Sequence, residues 1–493
     1  MQASGIPFDN SYVLLPEHFF SHQLPTPVAK PALIRVNHAL AQMLRIDATW
    51  LQSDEALQVF AGNRIPDGAN PIATVYAGHQ FGSFNPQLGD GRAVLLGEVI
   101  GTDGKRYDIQ LKGGGETPYS RMGDGRSPLG PVLREYIISE AMAALGVPTT
   151  RSLAAVASGE PVVRDTLLPG AVLTRVASSH IRIGTFQFFA AQGNAEAVKQ
   201  LADHVIERHY PDAAQHERPY LALLECVIAQ QAKLIAQWQQ LGFIHGVMNT
   251  DNVLLSGETI DYGPCAFMET HDPKTVFSSI DRNGRYAYQN QPPIAQWNLM
   301  WLAQALVPLI DADDTTAVSL ARAALEKFSD QHQAHYARGM LEKIGLTQHN
   351  ADTMDLISEL LTLMTQCGAD HTLTFRRLGE IVSDTLPANA CVGEYYPLPD
   401  ALTSWLTKWR VQLARETTTP EQQQLSMLAK NPVFIPRNHR VEEAIQAGNK
   451  GDFAPFHQLV DVLATPFTFA PELLRYALPA QPEEAVARTF CGT

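Results

Sequence analysis

Residues 242–264 read GFIHGVMNTDNVLLSGETIDYGP, and they carry more chemistry per residue than any other part of the chain. The pattern predicts a loop, a short strand over Val253–Leu255, a turn at Ser256–Glu258, and a second short strand ending at Asp261. Such a hairpin brings its ends together, so the Asn252 amide oxygen and the carboxylates of Asp251 and Asp261 converge on a hard divalent cation. Magnesium favours sparse oxygen ligation of this kind, completed by phosphates and water. Taken alone, Asp-Asn and Asp-Tyr-Gly are also ordinary turn residues.

The spacing narrows the choice. His245 to Asn252 overlays the kinase catalytic loop HRDxxxxN, and Ile260-Asp261-Tyr262-Gly263 follows where DFG would stand. One position breaks the pattern: Val247 occupies the place of the catalytic Asp, and Asp251 sits beside the ligand Asn instead. A valine accepts no proton, so ordinary kinase chemistry with the ordinary base is in doubt, while nucleotide and metal binding are not.

Working outward, a helix over Tyr220–Leu241 precedes this segment, with Leu224, Val227, Ile228, Leu234, Ile235, Trp238 and Leu241 on one face. Further upstream, from Ile72, short β-branched runs are broken by glycine. Strands from Arg92 and from Arg106 flank an Asp103-Gly104 turn, the second ending at Lys112. A helix is expected over Leu133–Leu145, with Glu135 near its start, and RSLAAVASG and AVLTRVA read as further strands. Lys112 then stands where a kinase places its phosphate-pairing lysine, and Glu135 where it places the partner glutamate. Helical patterns dominate beyond, to a proline-rich stretch near Pro397–Pro399 and a quiet end segment.

The expected class is α+β, a protein-kinase-like bilobal fold with a β-rich N-lobe over 72–165 and a helical C-lobe over 166–410. Residues 1–71 and 411–493 are read as N- and C-terminal extensions. Glycines recur as Gly-Asp-Gly-Arg at Gly89–Arg92 and Gly123–Arg126, letting backbone amides approach phosphate oxygens, with Arg92 or Arg126 adding donors. By the same residues, two β-turns with exposed arginines are an equal reading. Arg175 and Arg182, seven apart, look like surface residues by charge alone.

The 493 residues carry 45% hydrophobic and 18% charged side chains, which excludes disorder as the main description. A formal charge of −14 argues against a nucleic-acid-wrapping surface but not against a local phosphate site. Five scattered cysteines form no CxxC pair and no zinc spacing. No window has the apolar length of a membrane span and the first residues lack a signal-peptide pattern, so the expected location is the cytoplasm, with no membrane partner.

Four runs carry a resemblance: YAGHQFGSFNPQLGDGRA, DIQLKGGGETPYSRMGDGRSPLGPVLREY, LTRVASSHIRIGTFQ, and HGVMNTDN with IDYGP. Together they make the chain resemble the SelO (selenoprotein O, YdiU) family of kinase-fold protein adenylyltransferases along essentially its whole length. The resemblance implies ATP bound in reverse, so that AMP rather than phosphate passes to Ser, Thr or Tyr hydroxyls of proteins, with Mg²⁺ or Mn²⁺. It implies Asp251 as proton acceptor, Asn252 and Asp261 as metal ligands, and Lys112, paired with Glu135, as a phosphate contact. Gly89, Gly91, Arg92, Asp124, Gly125, Arg175 and Arg182 become the remaining nucleotide contacts. Many family members carry selenocysteine or cysteine near the C-terminus, where Cys491 stands here. In bacterial relatives a tail cysteine bridges to one beyond the DxG segment, but Thr275–Asp281 contains none. The expectation is a free tail thiol, with Cys265 as an alternative partner.

Three alternatives accompany this reading: uridylyl transfer from UTP by the same site, a small-molecule phosphotransferase of the aminoglycoside-kinase type, and a non-catalytic nucleotide-binding pseudokinase. Val247 counts against the phosphotransferase; Lys112, Asn252 and Asp261 count partly against the pseudokinase.

Overall fold

Gly104, with φ +78°, closes the Asp103-Gly104 turn between the two strands that centre the sheet. In the computed structural model, which describes residues 5–383, 385–386 and 391–489, ten strands lie upstream of residue 178. They are β1 (Phe20–His22), β2 (Ala32–Val36), β3 (Ile72–Thr74), β4 (Gly78–Gln80), β5 (Ser83–Asn85), β6 (Ala93–Ile100), β7 (Arg106–Lys112), β8 (Ser127–Pro128), β9 (Arg151–Val163) and β10 (Leu167–Ala177). Eight of them form one antiparallel sheet in the order β1-β3-β6-β7-β10-β9-β2, with β8 paired to β10. β4 and β5 form a separate hairpin.

Both ends of the sheet come from the first 40 residues, within the stretch read as an N-terminal extension: β1 and β2 are its outer strands. Adjacent residues point to opposite faces, so Leu95 and Leu173 join one core while Leu96 and Val172 join another. The second core is closed by the N-terminal helices His38–Met43 and Asp54–Phe60, through Leu40, Val59 and Phe60. The first is closed by helix Leu129–Ala144, which buries Leu133, Tyr136, Ile137 and Ala141. That helix begins one turn earlier than the apolar periodicity indicated, because Pro128 is extended and ends β8. Glu135 therefore sits in its second turn, directed at the sheet, rather than at its start.

Beyond β10 the chain is mainly helical. Pro219–Leu241, Gln291–Ile310 and Asp314–Lys343 pack on one another, and Gly242 ends the first of these in the left-handed region, φ +73°. Trp405 and Trp409 anchor a third core near the C-terminal end. Among the described residues no helix is long and apolar enough to cross a membrane.

The expected hairpin between Asn252 and Asp261 is not formed. Leu254 instead makes an antiparallel bridge to Arg182, and Thr259 a parallel bridge to Thr149. The segment is stitched to two distant parts of the chain, and only the turn from Leu254 O to Gly257 N, 3.2 Å, survives of the local pattern.

Candidate active site

Lys112 ends β7, and Arg175 lies on β10 two residues beyond Leu173, its register partner. Period-two alternation therefore puts Arg175 on the same face as Leu173, the face covered by helix Leu129–Ala144. Glu135 reaches down from that helix. Lys112 Nζ lies 2.5 Å from Glu135 Oε2, and Arg175 Nη1 lies 3.2 Å from Glu135 Oε1. Gln110, across from Arg175, accepts from its Nη2 at 2.7 Å and its Nε at 3.2 Å. Arg175 is 2% exposed and Arg182 3%, so the surface reading of these residues is corrected: strand pairing buries the first, and the Leu254 bridge the second.

All three cations converge on Asp261. Its Oδ1 accepts from Lys112 Nζ at 2.8 Å and Arg175 Nη1 at 2.7 Å; its Oδ2 accepts from Arg182 Nη1 at 2.9 Å. Burial pushes the carboxyl up, but Lys112, Arg175 and Arg182 outweigh it and hold it well below the usual carboxylate range. Asp261 has φ +61°, a left-handed conformation unusual for a non-glycine residue, and this backbone turn aims its carboxylate at the cluster. The guanidinium of Arg182 also covers the Tyr76 ring at 4.5 Å.

Asp251 lies in the short 3₁₀ turn Thr250–Asn252 and is 7% exposed. Gln80 Nε2 donates to its Oδ2 at 3.2 Å, whereas its buried Oδ1 has no hydrogen-bond partner among the described residues. A Cβ on Gly78 would lie 2.5 Å from Oδ1, so only glycine lets β4 approach this closely. Burial raises the Asp251 carboxyl to about 6, against the opposing pull of Arg182 and Gln80. It is thus a carboxylate poised close to neutrality, in a cleft, beside a cationic cluster.

Asn252 Nδ2 donates to Val247 O at 3.0 Å, which leaves Oδ1 as the amide atom available to a cation. His245, by contrast, is structural: its Nε2 lies 2.8 Å from Ile260 O, and its ring stacks on Trp238. Asn252 Oδ1 and the Asp261 carboxylate are an oxygen-only set of the kind that fits Mg²⁺ or Mn²⁺, with the orphaned Asp251 Oδ1 nearby in the same short turn. A cation taking Asp261 must displace or share contacts made by Lys112, Arg175 or Arg182. Among the described residues no group of three or more His, Cys, Asp and Glu is placed to hold a metal.

Gln80, Lys112, Glu135, Arg175, Arg182, Asp251, Asn252 and Asp261 line one cavity of about 840 Å³, together with Gly89, Gly91, Arg92, Asp124, Gly125 and Val247. Seven basic and five acidic side chains line it, a local positive excess in a chain of net charge −14. Gly125 has φ +63°, and a Cβ there would lie 2.0 Å from Gly115 O, so the second glycine loop folds tightly on the Gly113–Gly115 run that follows β7. Asp124 is the least central residue of the set. Its carboxylate accepts from Arg164 at 2.9 and 3.1 Å and is 43% exposed. Arg126 is tied to the carbonyls of Thr26 and Pro27.

Gln80, Gln110 and Arg164 belong to the site's framework and carry no motif signal, since a glutamine or arginine in a strand or turn is unremarkable until its partner is known. Cys265 is buried just beyond the Asp261 segment, and Cys491 lies outside the described residues.

A family described as Protein adenylyltransferase SelO matches residues 3–464. The chain is 60% identical over 488 residues to Protein nucleotidyltransferase YdiU of Rhodopseudomonas palustris (strain BisB5), covering 99% of each chain. It is 57% identical to the protein of the same name from Rhizobium johnstonii, covering 99% of this chain and 98% of the other. The Rhizobium meliloti protein is also 57% identical, with 99% of each covered. The chain belongs to the protein adenylyltransferase SelO family and is an enzyme of the nucleotidyltransferase class.

Proposed function

We propose that this enzyme transfers AMP from ATP to Ser, Thr or Tyr hydroxyls of proteins and releases pyrophosphate. The observation that carries the reading is the cluster of Lys112, Arg175 and Arg182 on Asp261, with Asp251 buried alongside and Val247 at the kinase base position. In the proposed step an acceptor hydroxyl oxygen bonds to the α-phosphorus, the bond to the bridging oxygen of pyrophosphate breaks, and Asp251 takes the hydroxyl proton. The leaving group carries charge but is a weak base, so it needs cations more than it needs an acid.

Lys112, Arg175 and Arg182 are well suited to that task. In this reading, phosphate oxygens replace the Asp261 carboxylate as their partners, and Glu135 and Gln110 hold Lys112 and Arg175 in place during the exchange. Asn252 and Asp261 would hold Mg²⁺ or Mn²⁺, which supplies further positive charge against the departing pyrophosphate. Gly89, Gly91, Arg92, Asp124 and Gly125 complete the nucleotide cradle. The wider architecture is read as a kinase-like two-lobed core, with the boundary expected at 165 moved past Ala177, because β10 pairs with β7 and β9 inside the small-lobe sheet. The N-terminal extension supplies the outer strands of the small-lobe sheet, and the helices within 420–477 extend the helical lobe.

Product analysis tests the reading: with ATP, Mg²⁺ and a hydroxyl-bearing protein, pyrophosphate should form in step with a protein adduct of adenylyl mass. ADP formed in step with a phosphoryl adduct would reject it.

A further inference from the structure

The β4–β5 hairpin is pinned to the catalytic turn on both sides of Gln80. Its two-residue loop, Phe81-Gly82, has φ +51° and +87°, the left-handed pair that suits a tight hairpin between twisted strands. Phe81 is a bulky residue in that conformation, and its N–H is held by Asn249 Oδ1 at 3.0 Å. Tyr286 Oη donates to the same oxygen at 2.7 Å, so the Asn249 amide is itself fixed. On the other side His79 N donates to Thr250 Oγ1 at 2.7 Å, and the His79 ring stacks on Trp301 at 3.8 Å. Asn249 and Thr250 are both buried.

Between these anchors Gln80 is half-buried and lines the same cavity as Asp251. Strand alternation turns it away from His79 and toward the catalytic turn, where its Nε2 donates to Asp251 Oδ2 at 3.2 Å. The other carboxylate oxygen, Oδ1, is buried without a hydrogen-bond partner among the described residues, and a Cβ on Gly78 would lie 2.5 Å from it. Oδ1 is thus sealed against the β4 backbone, which leaves Oδ2 as the oxygen an acceptor hydroxyl reaches. A carboxylate oxygen has two lone-pair sites, so Oδ2 accepts from Gln80 and still has one for the acceptor. The last torsion of an aspartate is broad, and a fixed donor gives it a single setting.

We infer that Gln80 is a positioning residue for nucleotide transfer, which fixes Asp251 Oδ2 as the oxygen that receives the proton of the acceptor hydroxyl. The inference rests on the reading above in which Asp251 is the proton acceptor, and adds which oxygen acts and what holds it. As the acceptor oxygen bonds to the α-phosphorus, its O–H bond breaks and the proton passes to Oδ2, while Gln80 keeps both of its own amide protons. The hairpin anchors at Asn249 and Thr250 set the distance from Gln80 to the carboxylate, so the amide acts from a fixed backbone rather than from a mobile loop.

The test uses the full-length enzyme, ATP labelled at the α-phosphate, Mg²⁺, and casein as the hydroxyl-bearing acceptor. Gln80→Met keeps the length of the side chain and removes the donor, and Gln80→Ala removes both. Each should lower kcat at least about tenfold, with the KM values for ATP and casein within about twofold and the thermal midpoint unmoved. A double-mutant cycle then asks through which residue Gln80 acts: in an Asp251→Asn background, adding Gln80→Met should cost less than about twofold more, because the carboxylate it positions is already gone. A kcat within about twofold of native in both variants, a loss carried by KM instead of kcat, or a loss repeated in full in the Asp251→Asn background would overturn the role of Gln80 alone. Native rates from Asp251→Asn itself, or no α-label on protein from the native enzyme, would defeat the reading beneath it.

Discussion

One nitrogen of Arg182 holds two parts of the site together: Nη1 donates to the Asp251 carbonyl at 2.6 Å and to Asp261 Oδ2 at 2.9 Å. A guanidinium makes both contacts because its donors are fixed in one plane, and a lysine ammonium does not reproduce the fork. Arg182→Lys should therefore lower nucleotide affinity at least about tenfold, equal to about 1.4 kcal/mol, while keeping the fold. Calorimetric titration of ATP, with a thermal melt as control, checks this.

Asp251→Asn preserves size and removes the proton acceptor. Nucleotide binding should persist while transfer falls by about 10²- to 10⁴-fold. For the native enzyme, transfer should rise with pH through about 6, as the buried Asp251 carboxyl loses its proton. A pH profile of kcat with no limb between pH 5 and 7 would remove Asp251 from the proton-accepting role.

Gly78→Ala places a methyl group 2.5 Å from Asp251 Oδ1, so the carboxylate or β4 must shift. Transfer should drop by about tenfold or more, because misplacing a catalytic group by roughly 1 Å has effects of that order or larger. ATP affinity should change little, since Lys112, Arg175 and Arg182 are untouched. Parallel binding and transfer assays distinguish this from general unfolding.

Lys343 offers a test of the fold away from the site. It is 4% exposed, lies 4.5 Å from the Phe375 ring, and burial lowers its ammonium from 10.5 to about 7. Between those values the unfolded chain binds more protons than the folded one, so this group makes stability rise with pH across that window. Lys343→Met should raise stability by about 2 kcal/mol near pH 8, with the gain shrinking toward pH 10. Denaturant unfolding at the two pH values measures it.

Much of the site was legible in the order of its motifs. Lys112 ending a strand, Glu135 on the following helix, and Asp251, Asn252 and Asp261 in one segment all line the same cavity. Arg175 and Arg182 were harder to place, because their burial comes from pairing of β10 with β7 and from the bridge to Leu254, neither of which has a local signature. The same bridge explains why Val253–Leu255 is not half of a hairpin: long-range pairing prevailed over the local turn. Gln80 and Gln110 were invisible for a related reason, since an amide shows its role only once its charged partner is known. The edge strands β1 and β2 are three and five residues long, too short for alternation to reveal them.

The most direct measurement of the central claim uses two batches of ATP, one labelled at the α-phosphate and one at the γ-phosphate, each incubated with the enzyme, Mg²⁺ and a protein acceptor. The account predicts that α-label becomes covalently attached to the acceptor while γ-label leaves in pyrophosphate. Attachment of γ-label with no α-label would contradict it.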